Sequence, residues 1–135
     1  MHPDLSIIIP TFNEEENVQT TIQHISHIIR SSNVSFEIII VDDSSTDETQ
    51  QMVIDLIARR YPVVLVTRTK DPGLSQSVME GINKARGNVV VVTDADLSHS
   101  VELIPSMYNE IKTNSVDIVI GSRYMPGGGI EDWPL

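Results

Sequence analysis

No cysteine occurs among the 135 residues, which excludes a disulfide framework and a thiolate zinc site and agrees with a reducing compartment. Carboxylates are left as the natural metal ligands. Cations are scarce as well: nine Lys and Arg stand against 19 Asp and Glu, for a formal net charge of -10. Neutralising the phosphates of a nucleic-acid duplex needs clustered Lys and Arg, and a direct grip on anionic lipid needs a polybasic segment. The sequence supplies neither. It also lacks a long hydrophobic run: the apolar stretches are far too short to span a bilayer, and Met1-His2-Pro3-Asp4 sets no basic region ahead of an apolar one. Internal repeats and low-complexity segments are missing too.

What is present is an ordinary globular composition, 40% hydrophobic and 21% charged. A chain of this length can bury about two thirds of the surface its unfolded form exposes, enough for one core. The expectation is a single domain over residues 1–135 in a soluble, cytoplasmic polypeptide. Gly127-Gly128-Gly129-Ile130-Glu131-Asp132-Trp133-Pro134-Leu135 reads as a cut made inside a longer protein.

Five short β-branched runs recur along the chain: Leu5 to Pro10, Phe36 to Val41, Val63 to Thr67, Val89 to Thr93 and Ile118 to Ile120. They are continuous rather than alternating, as strands buried on both faces of a parallel sheet are. Between them lie helical spacings: Val18, Ile22, Ile25 and Ile29; then Val53, Leu56 and Ile57; then Val78, Ile82 and Ala85; then Leu103, Met107 and Ile111. Asp47 suits the N-cap of the second helix, and Glu14 to Glu16 place negative charge near the start of the first. Alternating strands and helices with right-handed crossovers predict an α/β fold, a doubly wound, mostly parallel sheet with helices on both faces. In such folds the ligand lies beyond the carboxyl ends of the strands.

Polar groups follow the predicted strands. Thr11, Phe12, Asn13 and Glu14 come after the first, Asp42 to Ser45 after the second, Thr67, Arg68 and Lys70 after the third. Asp94, Asp96, Ser98 and His99 come after the fourth, and Ser122 and Arg123 after the fifth. In Asp94-Ala95-Asp96, two carboxylates one residue apart bring hard oxygen ligands to one point and leave positions open for substrate oxygens, as suits Mg²⁺ or Mn²⁺ with a diphosphate. A lone Asp-x-Asp is more often a helix-capping turn. Its place after an apolar strand, opposite the second acidic pair Asp42-Asp43, favours the metal. Asp43 can accept hydrogen bonds from a ribose or base edge, Phe12 offers an aromatic face, Glu14 a carboxylate, and Arg123 a planar cation for phosphate oxygens. Gly73-Leu74-Ser75-Gln76-Ser77 opens the third helix without a Gly-x-Gly-x-x-Gly fingerprint. His99 reads as a structural hydrogen-bonder.

Together, the segments Ile7 to Asn17, Glu37 to Asp47, Asp94 to His99 and Asp117 to Tyr124, with Gly127 to Gly129 after them, resemble family 2 glycosyltransferases of the GT-A fold. Within that family the resemblance is to the dolichol-phosphate (polyprenol-phosphate) mannose synthases. It implies a Rossmann-like donor-binding domain in which Pro10, Phe12, Glu14, Val41 and Asp43 hold the nucleoside of GDP-mannose. It implies too that Asp94 and Asp96 bind the metal bridging the diphosphate around Ala95, and that Arg123 meets phosphate oxygens, Asp96 and Arg123 being the catalytic pair. Ser98, where many relatives carry Gln, joins the metal set. Phe12 stands where Tyr is common, and Ser75 and Ser77 where Gly and Ala are usual. The implied acceptor is a polyprenol phosphate, with membrane contact only through a C-terminal part beyond Leu135 and the full-length parent at the cytoplasmic face of a membrane.

The implied reaction is inverting transfer to a phosphate oxygen already anionic near pH 7, so no dedicated base is required. The isolated chain is expected to bind donor and turn over little. Three alternatives stand beside this reading: a family member using a UDP-sugar, a response-regulator receiver, and a module that only binds nucleotide. A receiver would carry its acidic pair after the first strand.

Overall fold

The computed structural model describes residues 2–96 and 100–121. Its elements run β1 (Leu5–Thr11), α1 (Val18–Arg30), β2 (Phe36–Asp42), α2 (Thr49–Ala58), β3 (Val63–Thr67), α3 (Leu74–Lys84), β4 (Val89–Val92), a 3-10 turn (Val101–Leu103) and α4 (Ile104–Asn114). All strand pairs are parallel, in the order β3-β2-β1-β4. The chain steps outward from β1 to β3, then returns to lay β4 on the other side of β1. That reversal puts a topological switch point between the carboxyl ends of β1 and β4. Receivers follow the order 2-1-3-4-5, so this topology removes the receiver alternative.

The expected burial on both faces holds for the central strands β1 and β2, whereas the edge strands β3 and β4 leave Val64, Val90 and Val92 exposed. Ile7, Ile9, Ile38 and Ile40 face one layer, where Val18, Ile22, Ile25 and Ile29 of α1 and Val53 and Leu56 of α2 meet them, with Val101 and Ile104 at the margin. Ile8, Ile39 and Val41 form the smaller core on the opposite face, under α3. The six isoleucines of β1 and β2 are at most 1% exposed, and burying each contributes about 1.5–3 kcal/mol.

Two expectations are corrected. The apolar spacing of the third helix points Ile82 at the sheet, yet Ile82 is 41% exposed, and Ser77 and Gly81 are the residues turned inward. A Cβ at Gly81 would stand 2.5 Å from Ile8 Cγ2 and 3.1 Å from Val41 Cγ2, so α3 packs closely through its small residues. The fifth strand, Ile118 to Ile120, is not formed: the segment is irregular, with Ile118 and Ile120 78% and 79% exposed. Strand propensity alone makes no ladder, and among the described residues this segment pairs with no strand.

Candidate functional site

Beyond the end of β4, the Thr93 N–H donates to Ile8 O at 3.0 Å, carrying the chain along β1 toward the switch point. The next residues part company. Ala95 turns into the core at 2% exposure, and its carbonyl accepts a 2.7 Å hydrogen bond from the Thr21 hydroxyl of α1. Asp94, half-buried, and Asp96, exposed, flank it. The central Ala is thus an anchor, small enough to fit under α1, and it fixes the backbone that carries both carboxylates.

The neighbouring turns are stitched to each other. Asn13 takes a left-handed conformation, φ 52°; its N–H donates to Ser45 Oγ at 2.8 Å and its side-chain oxygen accepts the Thr46 N–H at 2.9 Å. The Glu14 N–H donates to Thr49 Oγ1 at 2.8 Å and the Glu48 N–H to Glu15 Oε2 at 3.0 Å. Asp47 accepts the Thr49 N–H at 2.9 Å, but it stands one residue ahead of the cap position expected of it, which falls to Glu48 without a side-chain cap. These bonds hold Phe12, which is 60% exposed, on a rigid turn with its ring available for stacking.

Asp42 and Asp43, adjacent in sequence, do different work. Asp42 is fully buried and its carboxylate accepts from the Thr11 hydroxyl (2.7 Å), the Ser45 N–H (2.9 Å) and hydroxyl (2.6 Å), and the Gln50 amide (2.7 Å). It is a structural hub tying β1, β2 and α2 together. Asp43 points outward to the β3–α3 connection, accepting from Arg68 Nη1 at 3.3 Å and the Gly73 N–H at 2.8 Å. Arg68 also donates to Asp71 O at 3.1 Å, and Ser44 donates its hydroxyl to Arg68 O. The pair Asp42-Asp43 lies at the end of β2, one strand removed from β4.

The acid that shares the field of the triplet is Glu14. Burial raises its carboxyl above the ordinary glutamate value, and the charges of Asp96, Asp94 and Asp47 push it the same way, against a lowering hydrogen bond with Asn17. Negative charge therefore converges where β1 and β4 end. Among the described residues no three His, Cys, Asp or Glu side chains form a complete cage for a metal. A two-carboxylate donor set is the one that suits an ion completing its shell with substrate phosphate oxygens.

Of the residues singled out in the sequence, Glu14 shares a field with Asp94 and Asp96, which flank Ala95, while Pro10 and Phe12 lie at and just beyond the end of β1, the strand beside β4. Asp43 stands at the far side of β1. The side chain of Val41 is fully buried in the core under α3, leaving only its main chain toward the strand end. Ser98, His99, Ser122 and Arg123 lie outside the described residues. Two contributors escaped the sequence reading. Arg68 was visible as a cation following a strand, but its partner Asp43 is 25 residues away. Thr21 gave no signal, because its role depends on Ala95.

The family described as Glycosyl transferase family 2 matches residues 6–135. A protein from Pyrococcus furiosus named dolichol-phosphate mannosyltransferase is 45% identical over 131 residues, 97% of this chain and 36% of the relative. One of the same name from Saccharomyces cerevisiae is 33% identical over 137 residues, 100% of this chain and 51% of the relative. The chain thus spans between about a third and a half of the length of these relatives. Among solved structures, a mannosyltransferase from Pyrobaculum calidifontis in complex with GDP-Man and Mn²⁺ shares the fold, with a TM-score of 0.66 at 24% identity, over 86% of this chain and 34% of that one.

Proposed function

The chain belongs to Glycosyl transferase family 2, and from that premise we propose that it is the donor-binding part of an enzyme moving mannose from GDP-mannose to a polyprenol phosphate, with inversion at the sugar. The observation that carries the reading is the triplet at the switch point: Ala95 buried and bonded to Thr21, with Asp94 and Asp96 on either side in one field with Glu14. The choice of mannose and of a polyprenol acceptor is supported by the names of the relatives. Guanine nucleotide and metal are supported by the complex in which the Pyrobaculum calidifontis enzyme was solved.

In this reading Asp94 and Asp96 hold Mg²⁺ or Mn²⁺, with Ser98 as a further ligand. Bound there, the ion acts as a Lewis acid that offsets charge on the diphosphate. Phe12 stacks on the base, and Pro10, Glu14, Asp43 and the main chain of Val41 border the nucleoside. Arg123 meets phosphate oxygens. An acceptor phosphate oxygen forms the new bond to the anomeric carbon as the bond from that carbon to the diphosphate breaks, and the electron pair leaves with GDP. The acceptor's second phosphate pKa is about 6, so the nucleophile is ionised without a base from the chain.

No helix among the described residues is long and apolar enough to cross a membrane. A polyprenol acceptor would bring the parent protein to the cytoplasmic face of a membrane through parts beyond this chain. We take the chain alone as binding donor with little turnover. Titration calorimetry with GDP and UDP, each with and without Mn²⁺, tests the site. Mn²⁺-dependent binding of GDP is expected, a preference for UDP would move the protein to the UDP-sugar members of the family, and metal-independent binding or none would overturn the site.

A further inference from the structure

We propose that the groove between the last turns of α1 and the α2–β3 connection is a second ligand site, one that takes a phosphate monoester, at the edge of the sheet opposite the donor site. The groove encloses about 320 Å³ and is lined by Gln23, Ser26, His27, Arg30, Ser31 and Tyr61. The Arg30 guanidinium lies 5.6 Å from the centre of the Tyr61 ring and that of Arg59 5.5 Å from it. Stacking on an aromatic ring holds a guanidinium in place while leaving its N–H edge for a ligand, which lowers the ordering cost of binding.

Neither guanidinium is committed elsewhere. Among the described residues the ion pairs of the chain are His24–Glu102, Arg68–Asp43 and Arg86–Glu37, so Arg30 and Arg59 are unpaired in a protein whose formal net charge is -10. Both stand at helix carboxyl ends, where a cation commonly serves the helix dipole. Here the chain supplies other donors to those carbonyls: the Ser31 hydroxyl bonds His27 O at 3.1 Å and the Ser32 hydroxyl Ile29 O at 2.6 Å, while the Arg60 N–H bonds Ile57 O at 3.0 Å and the Tyr61 N–H Leu56 O at 3.1 Å. Two helix ends carry together roughly one negative charge, against the two full positive charges held on the Tyr61 ring.

A second, independent observation lies in its lining. Ser26 sits on the apolar face of α1 at 1% exposure, and its Oγ has no hydrogen-bond partner among the described residues. Ala at that position would avoid the cost of an unmet buried hydroxyl. The Arg30 guanidinium, the Gln23 amide and the His27 imidazole line the groove beside that hydroxyl, and the Arg59 guanidinium is held on the same Tyr61 ring, a donor set suited to a tetrahedral oxyanion.

The test is a ¹H–¹⁵N titration of the whole chain with inorganic phosphate, against sodium chloride at matched ionic strength, with sedimentation on phosphatidylcholine vesicles with and without phosphatidic acid as a second arm. Saturable shifts at Ser26, His27, Ser31 and Tyr61 are expected, weakened at least about tenfold in Arg30→Gln/Arg59→Gln and by a smaller factor in Ser26→Ala, which keeps every charge. They should persist in Asp94→Asn/Asp96→Asn, which separates this groove from the donor site. Binding of free phosphate identifies a soluble monoester; binding only to phosphatidic acid vesicles, lost in the double Gln variant, identifies a lipid headgroup. Shifts equal to those in chloride, shifts confined to residues 12–14 and 94–96, or unchanged binding in the double Gln variant would overturn the proposal.

Discussion

The Thr21 hydroxyl donates to the carbonyl of Ala95 at 2.7 Å across 74 residues of sequence, so the backbone between the two acids is held by the helix that follows β1. Thr21 is itself fully buried. Thr21→Val preserves its shape and leaves the carbonyl without that donor, a loss of about 1–3 kcal/mol. Urea unfolding should show that loss, and calorimetry should show weaker Mn²⁺-dependent GDP binding. Thr21→Ser, which keeps the hydroxyl, should recover most of both. Equal behaviour of the Val and Ser variants in binding would detach the helix from the site.

Replacing Asp94 and Asp96 together by Asn removes, at nearly constant shape, the two carboxylates proposed to hold the metal. Outer-shell partners of a metal alone are worth about 10–100-fold in affinity, so loss of two direct ligands should weaken Mn²⁺-dependent GDP binding at least about a hundredfold. The circular dichroism spectrum should be retained, because neither acid belongs to the hydrophobic core. Binding that survives the change puts the metal elsewhere.

Glu14 gives the same site a pH signature. Its raised pKa means that the stability tied to its protonated form is complete below its ordinary value, 4.5, and is lost as pH rises through the higher folded value. Glu14→Gln should therefore stabilise the metal-free protein at pH 7, by less than about 1 kcal/mol for so accessible a group, and the gain should vanish below pH 4.5. Saturating Mn²⁺ should shrink it as well, since the ion offsets Asp94 and Asp96. Thermal melts at pH 4 and 7, with and without Mn²⁺, give the comparison.

Much of this architecture could be read before any coordinates. Continuous runs such as Ile7-Ile8-Ile9 and Ile38-Ile39-Ile40 announce strands covered on both faces, and the rule that ligands gather beyond their carboxyl ends assembled Phe12, Glu14, Asp94 and Asp96. What escaped depends on distance and handedness. Asp42 and Asp43 are chemically alike, and only strand register sends one into a buried network and the other outward. Ile82 looks like a core residue by period, but Gly81 allows α3 to approach so closely that the helix meets the sheet on a different face. Ile118 to Ile120 carry strand propensity with no ladder to join.

At the opposite end of the sheet, Glu37 is 4% exposed and accepts from Ser6 Oγ at 2.7 Å, the Arg86 N–H at 2.8 Å and Arg86 Nε at 3.1 Å. Burial pushes its carboxyl up, but these donors outweigh it and the pKa falls below the ordinary value, 4.5. A depressed folded pKa contributes stability that is present above the unfolded value and lost as pH falls through the folded one. Glu37→Gln should cost about 1–2 kcal/mol at pH 7, and its unfolding curve should converge on that of the parent as pH drops from 5 toward 3. A constant gap across that range would mean that the charge contributes nothing.

Arg68 offers the sharpest separation between the proposed nucleoside contacts and the proposed metal site. The carboxylate of Asp43 has about four lone-pair positions, and Arg68 and the Gly73 N–H occupy two of them, so the others remain for a nucleoside while the group itself is held still. The Arg68 side chain is 12% exposed, and its second bond, to Asp71 O, fixes the turn that delivers the Gly73 N–H. Arg68→Met keeps much of the apolar stem and removes both bonds. Asp43 should then lose its fixed orientation, and GDP should bind about tenfold more weakly, as loss of a charge-assisted hydrogen bond implies. Mn²⁺ alone, titrated without nucleotide, should bind as before, because Asp94 and Asp96 follow a different strand, β4, and the backbone between them is anchored through Thr21. Arg68→Lys keeps the charge without the fork and should fall between the two. If Met weakens metal and nucleotide equally, Arg68 supports the whole edge of the sheet; if it weakens neither, Asp43 is positioned by Gly73 alone.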